Sequence, residues 1–139
     1  MKKIHNITIY VMRVDIQGQQ FQGYLLQVQN LEESLCKYIN GIIEKFTIDE
    51  KFVVFSECDA VVLGMPLNRA LYDKTDTLGT IFSGNIIVVK QNVNKWESIC
   101  ESDIPIICQY LKPIVKIANG IVETTDESLL PIWNQKNDK

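Results

Sequence analysis

Apolar and polar residues alternate along the first part of the chain. In IHNITIYVMRVDI (residues 4–16), Ile7, Ile9 and Val11 fall on one side and Thr8, Tyr10 and Met12 on the other. This period of two, rich in β-branched residues, predicts a strand. QGQQ (17–20) reads as a turn and FQGYLLQVQN (21–30) as a second strand, so the two are expected to form a hairpin. The period then changes. Leu31, Leu35, Ile39, Ile42, Ile43 and Phe46 form one stripe, which predicts a helix over 31–46 with Asn30 and Glu33 as a capping box. Gly41 inside it costs about 1 kcal/mol relative to alanine, and close packing against a sheet would explain it.

Further on, KFVVFS (51–56) predicts a strand, and AVVLG (60–64) a short one. Pro66 keeps Met65 extended, and LNRALY (67–72) reads as a single helical turn. DKTDTLG (73–79) is a polar loop. TIFSGNIIVVKQ (80–91) predicts one long strand; Gly84 inside it marks a bulge or a close approach of another backbone or a ligand. NVNK (92–95) is a turn. Ser102 is expected to cap a second helix carrying Ile104, Ile107, Cys108 and Leu111, ended by Pro113. IVKIANGIVET (114–124) predicts a hairpin around Asn119-Gly120, a favoured type I′ pair.

Short turns between strands and two helices make the expected fold class α+β, with one mainly antiparallel sheet carrying two packed helices. Residues 1–123 form a single domain in this reading. Residues 124–139 form a partly ordered C-terminal extension whose apolar stretch, LLPIW (129–133), docks on the body or on a second subunit. The last six residues are expected to be loose.

Composition narrows the chemistry. The chain has 139 residues, 46% hydrophobic and 22% charged, which suits one globular domain that needs no metal or disulfide. A formal net charge of −3, with no basic run beyond Lys2-Lys3, disfavours nucleic acid as a partner. Cys36, Cys58, Cys100 and Cys108 form no C-x-x-C, and His5 is the only histidine, so a zinc site is not expected. The thiols read as reduced, which fits a cytoplasmic protein. No signal peptide and no apolar run of about twenty residues is visible, so no membrane association is expected. The phosphate-loop, dinucleotide and nucleophile-elbow motifs are absent. The chain is therefore expected not to be an enzyme and to need no cofactor.

One stretch departs from its surroundings. In VVLGMPLNRALYD (61–73), Asn68 and Arg69 interrupt an apolar run, and Arg69 is one of two arginines. Two readings stand side by side. Asn68 could close the turn after Pro66 while Arg69 ties strand carbonyls or pairs with Glu57, Asp59 or Asp73. Alternatively the planar guanidinium could recognise a phosphate or carboxylate, with Asn68 reading a base edge or ribose hydroxyl and Gly84 leaving room for the ligand. Tyr72 and Trp96 could stack on a base or simply pack at a rim. Asp73 and Asp76 read as solvated loop carboxylates.

LGMPLNRALYD followed by IFSGNIIVV resembles a small family, found mainly in bacteriophages and mobile elements, whose domain has no known function. Pro66, Asn68, Arg69, Ala70, Ile81 or Ile86, Gly84, Val88 and Val89 carry the resemblance, which covers roughly residues 50–112. It supplies no catalytic residues. Together with Asn68 and Arg69, it implies a counter-defence protein that binds and sequesters a small nucleotide signal without turnover. Asn68, Arg69, Tyr72, Gly84 and Trp96 would be the ligand-binding residues, in a homo-oligomer in the host cytoplasm. The alternative is a protein-interaction inhibitor of a host enzyme, which predicts an exposed apolar patch around Leu129–Trp133 and no pocket at Arg69.

Overall fold

The computed structural model describes residues 5–39, 42–61 and 63–133. The fold is α+β, and among the described residues its strands fall into two antiparallel sheets rather than one. The larger sheet has the order β2(Tyr24–Gln29), β1(Asn6–Met12), β7(Ile86–Asn92), β4(Phe52–Glu57), β3(Ile43–Ile48), with β8(Lys95–Glu97) also paired to β7. The smaller sheet runs β10(Ile121–Thr124), β9(Leu111–Ala118), β5(Leu67–Tyr72), β6(Leu78–Ser83).

The central strands of the larger sheet are buried on both faces, so their side chains serve two cores. Tyr10, Met12, Val54 and Val88 pack toward the smaller sheet and α2(Ile104–Tyr110), where they meet Phe82, Ile107 and Leu111. Ile9, Val11, Val53, Phe55 and Val89 pack on the opposite face under Leu35 and Ile39. The first hairpin forms as the alternation predicts, with Ile9 opposite Leu26. The Asn119-Gly120 hairpin also forms, and both turn residues take positive φ.

The expected helix over 31–46 does not form. A short α1(Glu32–Leu35) and a 3₁₀ turn over Cys36–Tyr38 end it, and Ile43–Ile48 is a strand paired to β4. No side-chain cap is made at Leu31, so the Asn30–Glu33 capping box is absent too. The reason lies beyond the local stripe. Asp49 and Glu50 both adopt positive φ and fold Ile43–Ile48 back onto the strongly apolar β4, and sheet pairing with burial of Ile48 outweighs local helical spacing. Gly41 lies outside the described residues, as do the last six residues.

Two further expectations are corrected. LNRALY is not a helical turn but an inner strand of the smaller sheet, held by β9 and β6. Residues 80–91 are two strands in different sheets, and the corner between them contains Gly84 at φ +74°. The expected short strand over 60–64 forms turns at its described residues. α2 is preceded by a 3₁₀ turn, and the carboxylate accepting from the Cys100 N–H is that of Asp103, not a Ser102 hydroxyl.

Candidate functional site

Pro66 leads into β5, and the register slips by one residue between Leu67 and Arg69, a bulge at Asn68. A bulge re-aims neighbouring side chains. Here Asn68 and Arg69 both turn inward, and both are completely buried. Their adjacency then has a direct explanation: Arg69 Nη1 donates to Asn68 Oδ1 at 2.6 Å. Asn68 Nδ2 donates to the carbonyls of Met12 (3.1 Å) and Gly84 (2.8 Å), tying β1 and the β6–β7 corner to β5.

The remaining donors of Arg69 are also engaged. Nη2 reaches Phe21 O at 2.9 Å, and Nε and Nη2 form a fork on the Glu127 carboxylate at 2.9–3.1 Å. The Gly23 N–H donates to the same carboxylate at 2.7 Å. Arg69 thus pairs with Glu127, not with Glu57, Asp59 or Asp73. Glu127 arrives on a strap that packs against residues 21–23. Gln22 N donates to Pro131 O, Gln22 Nε2 donates to the Ser128 and Leu130 carbonyls, and Trp133 sits edge-on to Phe21 with its ring under the Arg13 guanidinium.

Tyr10 crosses this region. Its ring lies so close to Gly23 that an added Cβ would fall 2.3 Å from Cζ. Its hydroxyl is 3.9 Å from Cys108 Sγ. Burial, followed by the nearby Glu127 charge, pushes the Tyr10 hydroxyl well above its usual value and the Cys108 thiol up to about 11. Both groups are kept neutral.

The five expected ligand-binding residues do not converge. Asn68, Arg69 and Gly84 are neighbours, but their close contacts are internal: a Cβ on Gly84 would meet Met65 Cε at 2.9 Å, and Gly84 O is taken by Asn68. Trp96 lies on β8 and packs edge-on to Phe55, on the core face turned away from the smaller sheet. Tyr72 is elsewhere again. It lines a cleft of about 200 Å³ with Ile48, Leu71, Lys74 and Tyr110, and Lys112 Nζ sits 5.0 Å above its ring while pairing with Asp76. Asp73 caps its own loop through Thr75 and Thr77.

What the sequence reading missed is Glu127. Asp126 and Glu127 both precede the apolar LLPIW, and nothing local to either links it to Arg69. The other unforeseen feature is the distal half of the β9–β10 hairpin. Every residue from Val115 to Ile121 is exposed. Val115 and Ile117 (59% and 40% exposed) share one face with Val122, and Ile121 (65%) lies on the other beside the Lys116–Glu123 pair.

No family model, curated protein or solved structure matches the chain. Among the described residues no helix is long and apolar enough to cross a membrane.

Proposed function

We propose that this chain is a non-catalytic protein-interaction module that acts by surface contact, with the β9–β10 hairpin as its contact element. The observation that carries this reading is the exposure of Val115 and Ile117 on one face, and of Ile121 on the other, of a hairpin whose outer half is solvent-exposed among the described residues. Clustered exposed aliphatics mark interaction surfaces. Among the described residues β10 is also an edge strand of its sheet, and an edge strand can extend a partner's sheet. The partner is therefore a protein with an apolar, open strand edge. Exposed Leu129 and Ile132 on the strap add apolar surface of the kind this reading requires. The target in this reading is a host enzyme, inhibited by occlusion.

Surface contact is favoured over nucleotide sequestration at Asn68 and Arg69 because that pair is buried and already hydrogen-bonded. A small ligand retains one supporting observation, the cleft beside Tyr72 and Tyr110, whose floor of Ile48 and Leu71 suits a planar ring.

The test is site-specific photo-crosslinking in cells, with a benzoylphenylalanine placed at position 117 or, as a control, at exposed position 37. A discrete heavier adduct from 117 that disappears on Val115→Lys is expected. No adduct at 117, or the same adducts at 117 and 37, would contradict the proposal.

A further inference from the structure

We propose that Arg69 and the Gly23 N–H form a carboxylate receptor inside this fold, and that Glu127 is its resident ligand, replaceable by a free carboxylate once its side chain is removed. The inference is independent of the hairpin. It rests on which contacts of the guanidinium belong to the receptor and which to the ligand. Nη1 is fixed by Asn68 Oδ1, and Asn68 is itself fixed by the Met12 and Gly84 carbonyls. Nη2 is fixed by Phe21 O. These partners come from the sheets and from the segment leading into β2, and none of them lies on the strap. They hold the guanidinium in place and leave its Nε–Nη2 edge pointing at the Gly23 N–H. Three donors therefore converge on one position, two from a planar fork and one from the backbone.

Such an array matches one planar carboxylate, bidentate on the arginine. Glu127 fills it, with both oxygens engaged. The ligand differs from the receptor in how it is held. Glu127 sits on a 3₁₀ turn, Glu127–Leu129, in a strap flanked by exposed Leu129 and Ile132. The strap meets the body mainly through Gln22, Phe21 and Arg13. Arg69 is completely buried, whereas the Glu127 side chain keeps 12% exposure, so the receptor opens toward solvent on the strap's side. The guanidinium edge is thus occupied by a carboxylate from within the chain.

The experiment uses the full chain with Glu127→Ala, melted in sodium formate, acetate, phosphate and chloride at equal ionic strength. The variant should melt well below the parent. Formate should restore several degrees, saturably, with acetate weaker for its extra methyl group. Chloride should not, and the parent chain should respond to formate and chloride alike. If the variant does not fold in buffer, recovery of folded protein on refolding in formate but not chloride is the supporting result. Equal behaviour in formate and chloride, in melting or in refolding, would overturn the proposal. Rescue by phosphate exceeding that by formate would overturn the assignment to carboxylates.

Discussion

Arg69 holds the carboxylate of Glu127, 58 residues later in the chain, in a fork whose arginine side is completely buried. This pair joins an inner strand of the smaller sheet to the strap that follows β10. Removing one partner of a buried pair leaves an uncompensated charge, which costs more than the pair itself contributes. Arg69→Ala should destabilise by about 3–5 kcal/mol, toward the lower end because Glu127 retains some solvent. Denaturant melts would show this, and an Arg69→Met, Glu127→Leu double variant should regain most of the loss. A double variant no more stable than Arg69→Ala would mean the charge pairing is not what matters.

Asn68→Ala removes two backbone ties and the Nη1 acceptor together. Each buried group left unsatisfied costs roughly 1–3 kcal/mol, so a loss of stability comparable to that of Arg69→Ala is expected. Hydrogen exchange should speed up at the β6–β7 corner around Gly84, which Asn68 anchors. Exchange unchanged there would contradict the anchoring role.

Gly23→Ala places a methyl group on the Tyr10 ring. Tyr10 belongs to the main core and cannot move freely, and overpacking of this kind costs roughly 1–3 kcal/mol. Tyr10→Leu in the same chain should relieve much of it. Parent-like melting of Gly23→Ala alone would contradict the packing described.

Cys108 and Tyr10 give the chain a pH dependence on the alkaline side. Burial raises both above their ordinary values, Cys108 to about 11. Between about pH 9 and 11 the unfolded chain releases protons that the folded chain keeps, so stability is complete below this window and falls as pH rises through it. Urea melts across this range should show the decline, and Cys108→Ala should make it shallower. At pH 8 a thiol reagent should modify the exposed Cys100 well before Cys108.

Val115→Lys and Ile121→Lys alter side chains that pack on little in the folded chain. Their effect on stability should stay within about 0.5 kcal/mol, while contact with the partner is lost. Thermal melting together with the crosslinking yield from position 117 separates these effects. Large destabilisation would show that the hairpin face is structural.

The strands with clean alternation were legible because period two has few competing explanations. The first hairpin and the Asn119-Gly120 hairpin follow this rule. Residues 31–46 were not legible, because Ile39, Ile42, Ile43 and Phe46 satisfy a helical stripe while Ile43–Ile48 gains more from pairing with β4. The signal for that pairing was the Asp49-Glu50 turn, whose residues do not announce positive φ as Asn-Gly does. Asn68 and Arg69 were recognisable as unusual, and the reading in which they bind the chain's own groups was available. Their partner was not, since a contact spanning 58 residues leaves no local trace. Tyr72, Gly84 and Trp96 were grouped by residue type, and the two-sheet topology sets them in different places.

Native mass spectrometry of the full chain, incubated with cyclic and linear nucleotides and then with extract of the cells in which it acts, tests the central claim most directly. Surface contact predicts no nucleotide adduct, together with a discrete protein complex that Val115→Lys abolishes. A nucleotide retained on the parent chain and released unchanged on heating, with no protein complex, would contradict it.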